Sequence, residues 1–142
     1  MKLRDLGEGG LIRKIRERFG AKADALQVGI GDDAAVADFP RDQSIVFCSD
    51  LVAEDTHFIR TLHPPDSIGY KAVAVNVSDV AAMGGVPEHA LITLAVSREV
   101  EVAWVKALYA GLRRAARKFG VSSQALTFRL LNLNLARRPV PA

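Results

Sequence analysis

The chain has 142 residues, 49% hydrophobic and 25% charged, which is the composition of a soluble globular domain. No apolar run reaches the ~20 residues of a membrane-spanning helix and the N-terminus lacks a signal-peptide stretch, so we expect a cytoplasmic protein without a membrane partner. The 19 basic and 16 acidic residues give a net charge of +3, too small a surplus to indicate a nucleic-acid partner. The single cysteine, Cys48, excludes an internal disulfide and a multi-cysteine zinc site.

The first third of the chain predicts one helix followed by strands. Residues 3–19 are predicted to be an amphipathic helix ending at Gly20, because apolar side chains recur there at helical spacing: Leu11, Ile12, Ile15 and Phe19. Residues 25–39 (ALQVGIGDDAAVADF) predict strand-like pieces around a glycine turn. Residues 43–52 (QSIVFCSDLV) have the clearest strand pattern, with β-branched and aromatic residues between polar ones.

The middle of the chain contains a segment that is compatible with two structures. Residues 60–67 (RTLHPPDS) are expected to form a loop because Pro64 and Pro65 prevent regular structure. In residues 67–83 the Ala/Val alternation favours a strand, whereas the length and the valine stripe favour a buried helix with Ser67 near its N-cap. We favour the helix, and we expect a buried strand over residues 89–96 (HALITLAV).

The strongest helix signal covers residues 99–119, with Gly120 as its stop. One apolar stripe follows this segment: Val102, Val105, Leu108, Tyr109, Leu112, Ala116 and Phe119. The predicted order α, β, β, α, β, α defines an α+β (mixed α/β) domain. We assign it to residues 1–120. Residues 121–142 form a tail with three arginines and no acid, which we expect to be ordered only in part.

Four aspartates are placed so that they could gather around cations. Asp32 and Asp33 follow a Gly-x-Gly turn, Asp50 lies near a strand end, and Asp79 lies on the helical face that also carries Asn76. In apolar surroundings an ionised Asp79 is costly unless it is paired or bound to a metal. Together with Ser49 and Ser78 these carboxylates form a hard-oxygen ligand set that suits Mg²⁺. The alternative is that each aspartate is a turn residue or a helix cap.

Three further residues have both a functional and a structural interpretation. His57, which follows two acids, is either a surface histidine or a contact for a phosphate. Cys48 is either a reactive thiol or, more in keeping with its strand setting, a small buried hydrophobe. Tyr109 has the spacing of a core residue.

Five motifs follow one another between residues 4 and 120: GEGGLI, GIGDDAAV, CSDLVAEDTHF, YKAVAVNVSDVAAMGGVP and WVKALYAGLRRA. In sequence and order they resemble the motifs of the thiamine-monophosphate kinase family, within the superfamily of aminoimidazole ribonucleotide synthetase and selenophosphate synthetase. The resemblance implies the N-terminal domain of this fold, a sheet packed by helices that dimerises through its sheet. It also implies ATP-dependent, Mg²⁺-assisted phosphorylation of thiamine monophosphate to thiamine pyrophosphate, without a covalent intermediate or a catalytic side chain.

The resemblance also assigns roles to individual residues. Asp33, with Asp32 beside it, implies a magnesium ligand at the turn, and Ser49 and Asp50 imply ligands at the strand end. Asp79 matches a ligand that bridges several metals. Cys48 stands at a metal-contacting position where serine or threonine is usual. By the same resemblance His57 contacts the thiamine phosphate and Tyr109 contacts the nucleotide.

The tail departs from the family pattern, and this leaves other functions open. After Gly120 the family continues into a strand ending in Gly-Gly-Asp and then a second α/β domain, whereas this chain has the basic tail of residues 121–142. The leading hypothesis is therefore a truncated or frameshifted kinase domain, against a genuine short protein. A non-catalytic dimerisation or regulatory half-domain is the second hypothesis. A superfamily enzyme with another phosphate acceptor is the third.

Overall fold

The computed structural model describes residues 1–19, 26–28, 36–39, 42–121 and 127–131. The elements in this part of the chain are three helices and four strands: α1 (Leu3–Phe19), β1 (Leu26–Val28), β2 (Val36–Ala37), α2 (Pro65–Ala82), β3 (Leu91–Ala95), α3 (Val102–Phe119) and β4 (Thr127–Leu131). β1 and β2 pair antiparallel, and β3 and β4 pair parallel. This mixture of helices and strands confirms the predicted α+β class.

The core of the described part is built on α3. Its stripe residues Val105, Tyr109 and Leu112 are at most 3% exposed and pack with residues of α1 and α2. α3 ends at Gly120, which has a left-handed backbone (φ 72°). Both the stripe and the glycine stop were predicted, because an amphipathic helix with one broad apolar face is the most readable pattern in a sequence.

α1 covers the residues predicted for it, and its first residues are hydrogen-bonded to the segment before α3. The Leu3 amide donates to the Val100 carbonyl (3.1 Å), and Leu11 and Ile15 are buried in the core. Gly7, with φ 70° and ψ 172°, interrupts the helical backbone and kinks α1. The expected stop at Gly20 lies outside the described residues.

α2 confirms the helix that was favoured over the strand, but its start was predicted wrongly. Pro65 is the first helical residue and Pro64 is the N-cap, so the helix begins two residues before Ser67, which lies in the first turn. A proline fits the first helical position because its fixed φ suits the helix and the amide it lacks would have no partner there. The proline pair therefore begins the helix instead of extending the loop.

Two strand predictions differ from the structure. Residues 44–53 contain no strand, and the apolar side chains Phe47 (83% exposed) and Leu51 (71%) lie at the surface. A strand needs a neighbouring strand to which its main chain hydrogen-bonds, and no strand of the described part pairs with this segment. β3 does form, but its residues alternate between exposed and half-buried, so it is not the fully buried strand that was expected.

The C-terminal strand β4 was not predicted as a separate element. It lies in the basic tail and pairs with β3 in register from Leu91 with Thr127 to Ala95 with Leu131. None of the helices in the described ranges has the length and apolarity that crossing a membrane requires.

Candidate metal and phosphate site

The segment that carries Ser49 and Asp50 lies against α2. The Asp50 amide donates to the side-chain oxygen Oδ1 of Asn76 (3.0 Å), and Asn76 Nδ2 donates to the Ala72 carbonyl one turn earlier on α2 (2.9 Å). The side chain of Asn76 therefore joins the 44–53 segment to the helix. Asp79 follows Asn76 by three residues, which is about 4.5 Å along the helix axis. This contact holds the main chain of Asp50 against α2, the helix that also carries Asp79.

The surroundings of Asp79 are not those expected from the sequence. Both Ser78 and Asp79 are exposed near the C-terminal end of α2, so an ionised carboxylate at position 79 is hydrated and carries no burial cost. The argument that Asp79 requires a cation because it lies among apolar residues is therefore wrong. The length and the valine stripe of α2 suggested a buried helix, but the face that carries Asp79 is exposed.

The described carboxylates nevertheless suit a hard cation. Among the residues that the structure describes, neither Asp50 nor Asp79 forms an ion pair. Asp50 Oδ1 accepts one hydrogen bond, from the Leu51 amide (2.7 Å). Exposed carboxylate oxygens without a competing cation, next to the Ser49 hydroxyl, match the oxygen ligands that Mg²⁺ takes. The donor set thus fits magnesium.

The set is incomplete within the described part. No group of three or more His, Cys, Asp or Glu side chains there could hold a metal ion. Asp32 and Asp33, the other two predicted ligands, lie outside the described residues. The magnesium roles of Asp32, Asp33, Ser49, Asp50 and Asp79 therefore remain predictions.

His57 occupies a short turn whose hydrogen bonds fix its ring. Its Nδ1 accepts from the Ala53 amide (3.1 Å), and its carbonyl accepts from Lys71 Nζ on α2 (2.9 Å). A neutral imidazole that accepts through Nδ1 carries its proton on Nε2. The exposed ring therefore offers an N–H donor, the group that a phosphate oxygen needs. Its contact with thiamine phosphate stays a prediction.

Cys48 is exposed, so the interpretation as a small buried hydrophobe is wrong. Its Sγ lies 3.5 Å from the Asn76 carbonyl oxygen and 3.8 Å from Asn76 Oδ1. The thiol lies at the surface, in the 44–53 segment that forms no strand. Its position beside Ser49 and Asp50 keeps it next to the predicted metal ligands.

Tyr109 lies in the core and is 1% exposed, which confirms the packing role that its helical spacing predicts. Burial raises the pKa of its hydroxyl, so the side chain stays neutral. The nucleotide contact that the family resemblance implies for Tyr109 stays a prediction. A nucleotide would reach this side chain only if the packing around α3 changed.

Two residues that position this site were missed from the sequence. Asn76 links Asp50 to α2, and Lys71 holds the His57 turn against the same helix. A signal for Asn76 was present, since asparagine is a poor helix former and stands inside a helix of Ala and Val. Lys71 carries no such signal, because lysine is ordinary on an exposed helix face.

Comparison with known proteins places the chain in a family. Residues 31–124 match the model described as AIR synthase related protein, N-terminal domain, and the chain belongs to that family. This match contains Ser49, Asp50, Asn76 and Asp79.

Within that family the relatives found are thiamine-monophosphate kinases. The kinase of Aquifex aeolicus is 39% identical over 115 residues, which are 81% of this chain and 35% of the relative. The crystal structure of thiamine-monophosphate kinase from Stenotrophomonas maltophilia K279a superposes with a TM-score of 0.64 at 34% identity, covering 89% of this chain and 39% of that one. AaThiL complexed with AMPPCP and TMP has a TM-score of 0.52 at 33% identity, with 93% and 40% covered. The chain thus spans about a third of the length of the curated relatives it matches.

Proposed function

We propose that this chain supplies the N-terminal part of an ATP-dependent kinase that phosphorylates thiamine monophosphate to thiamine pyrophosphate. The observation that carries the proposal is the similarity to AaThiL complexed with AMPPCP and TMP, a nucleotide and a substrate bound to one relative. Residues 1–120 would form the unit that binds ATP and magnesium, with residues 121–142 as an appended tail. The expected compartment is the cytoplasm.

The roles of the side chains follow from their chemistry. Asp50, Asp79 and Ser49 would hold Mg²⁺, together with Asp32 and Asp33 of the glycine turn, and Cys48 would stand beside them. Bound magnesium supplies charge neutralisation and orientation for two phosphate groups that repel each other. His57 Nε2–H would donate to the phosphate of thiamine monophosphate. The acceptor's own phosphate oxygen is the nucleophile, so these residues contribute positioning and electrostatic stabilisation rather than covalent catalysis.

The proposed partner of the chain is a second copy of itself. Residues 45–51, which we call the apolar segment, expose four large hydrophobic side chains: Ile45, Val46, Phe47 and Leu51. A segment that exposes apolar side chains and pairs with no strand of the described part is suited to pairing with another chain. This supports a homodimer formed through the segment that carries Ser49 and Asp50.

The test is whether thiamine pyrophosphate forms from thiamine monophosphate and Mg-ATP, detected by conversion to thiochrome. The purified chain is compared with the variant Asp79→Asn and with Ser67→Ala, an exposed substitution on the same helix. Product that requires magnesium and disappears only in Asp79→Asn supports the proposal. Absence of product at high protein concentration rules out catalysis by this chain alone.

A non-catalytic half-domain that dimerises is the second candidate, and the exposed hydrophobic side chains of the apolar segment favour it. This candidate predicts a stable dimer without affinity for Mg-ATP, which isothermal titration distinguishes from the kinase domain. A third candidate, a kinase for another phosphate acceptor, predicts Mg-ATP binding without turnover of thiamine monophosphate.

A further inference from the structure

The contact between Asn76 and the main chain of Asp50 points to a role for Asn76 itself. Asn76 is half-buried and uses both ends of its amide: Oδ1 accepts from the Asp50 amide (3.0 Å), and Nδ2 donates to the Ala72 carbonyl (2.9 Å). The bond to Ala72 fixes the rotamer of the side chain on α2. The bond to Asp50 then holds a segment that has no secondary structure of its own.

The two ends of the Asn76 amide bind different parts of the chain. The acceptor end is aimed at the 44–53 segment, where Cys48 Sγ also lies 3.8 Å from Oδ1. The donor end is anchored one turn earlier on the helix. No other common side chain of this length offers one donor and one acceptor in this geometry: aspartate lacks the donor, leucine lacks both, and glutamine is longer by one methylene.

We infer that Asn76 is a positioning residue that holds Asp50 against α2, the helix that carries Asp79, and thereby sets the affinity of the site for a divalent cation. The inference rests on the proposed function, since it assumes that these two aspartates bind the metal. Asn76 does not touch the metal or the substrate in this account. Groups that orient metal ligands typically contribute 10- to 100-fold to affinity.

The hydrogen bond itself can be measured without any metal. In the described 44–53 segment the amides of Ser49 and Val52 have no hydrogen-bond partner, whereas the Asp50 amide donates to Asn76. Amide exchange followed by NMR on the metal-free chain should therefore be slower at Asp50 than at Ser49. Equal exchange rates at these two positions in the unmodified chain would overturn the inference before any variant is made.

The variant Asn76→Ala tests the consequence, with Ser67→Ala as the matched control on the exposed face of α2. We expect exchange at Asp50 to accelerate about tenfold, the effect of losing one hydrogen bond. We expect the Mn²⁺ affinity, measured by electron paramagnetic resonance of the free ion, to weaken by at least tenfold. Circular dichroism of α2 and α3 should be unchanged, and Ser67→Ala should change neither quantity.

The outcomes separate this inference from the proposed function. Unchanged exchange at Asp50 in Asn76→Ala, or accelerated exchange with unchanged Mn²⁺ affinity, overturns the positioning role. Failure of the unmodified chain to bind Mn²⁺ counts against the proposed metal site, whereas slow exchange at Asp50 would still establish the contact. If Asn76→Ala does not fold, Asn76→Asp replaces it: this variant keeps the acceptor but lacks the donor that fixes the rotamer, so exchange at Asp50 must accelerate, and unchanged exchange overturns the positioning role.

Discussion

The main chain of Gly111 on α3 is in contact with the main chain of Asp66 on α2, and a Cβ atom at position 111 would overlap the Asp66 carbonyl oxygen. One turn further along α2, a Cβ at Gly69 would likewise overlap the Leu108 carbonyl. The two helices therefore touch through their backbones at two glycines. This close crossing fixes the position of α2, on which Asn76 and Asp79 lie.

Replacing Gly111 with alanine should destabilise the fold. The added methyl group meets backbone rather than a flexible side chain, so the helices must move apart and the core around Leu112 must repack. Overpacking of this kind costs about 3 kcal/mol. Urea unfolding followed by circular dichroism measures the change in the free energy of unfolding.

Gly9→Ala is the matched control, because a Cβ at Gly9 meets nothing within 4 Å and the residue lies inside α1. Alanine is a better helix former than glycine, so this variant should stabilise the chain by about 0.5–1 kcal/mol. A destabilisation by Gly111→Ala no larger than that of an exposed substitution would contradict the close crossing.

Stability should decrease at acidic pH through two exposed carboxylates that form ion pairs, Asp66 and Glu99. The hydrogen bond from Arg114 (2.8 Å) lowers the pKa of Asp66, and the one from Lys2 (2.7 Å) lowers the pKa of Glu99, assisted by Arg4. A carboxyl with a lowered pKa binds fewer protons in the folded state than in the unfolded state. Its stabilising contribution is therefore complete above the ordinary pKa, which is 3.8 for Asp66 and 4.5 for Glu99. The contribution is lost as the pH falls through the lower pKa of the folded state.

The measurement is the melting temperature as a function of pH for the unmodified chain, Asp66→Asn and Glu99→Gln. In each variant the melting temperature should decrease less at acidic pH than in the unmodified chain. Neither variant should change the pH dependence of the melting temperature above pH 6, which is well above the ordinary pKa values of both carboxyl groups. Because the pairs are exposed, the difference should shrink when salt is raised to about 0.5 M. Persistence at high salt would contradict an electrostatic origin.

The Cys48 thiol should react in the folded chain. It is exposed, so a thiol reagent such as dithionitrobenzoate should modify it without prior unfolding. Bound Mg-ATP should slow the reaction if Cys48 stands beside the metal ligands. Reaction only after addition of denaturant, at a protein concentration low enough to keep the chain monomeric, would contradict its exposed position, and Cys48→Ser is the control that removes the signal.

The elements that the sequence predicted well are those whose stability is local. α3 has a continuous apolar stripe followed by Gly120, and that pattern predicted its end and its buried face, although the helix begins at Val102 and not at residue 99. α2 was predicted less completely because Pro64 and Pro65 suggest a loop as much as a helix start. The side of α2 that bears Asp79 was assigned to the interior because valine and alanine alone do not show which face is covered.

The parts that were predicted wrongly depend on neighbours. The segment with Phe47 and Cys48 has strand composition, but composition cannot supply a hydrogen-bonded partner. The two-ended hydrogen bonding of Asn76 depends on the approach of Asp50 from 26 residues earlier, which no local pattern shows. The magnesium roles of the aspartates stay a prediction, which rests on their residue type, since carboxylate oxygens are ligands that Mg²⁺ takes.

Self-association should depend on the apolar segment. Phe47 is 83% exposed in the single chain, so a partner that covers it would bury a large aromatic surface. Phe47→Asp should weaken dimerisation at least tenfold, the effect expected for a central aromatic residue in an interface. Sedimentation velocity over a range of protein concentrations gives the dissociation constant.

Leu62→Asp, at a similarly exposed leucine (71%) outside the apolar segment, should leave the dissociation constant unchanged. Equal weakening by both variants would show that exposed hydrophobic surface associates non-specifically, and an unaltered dimer in Phe47→Asp would place the interface elsewhere.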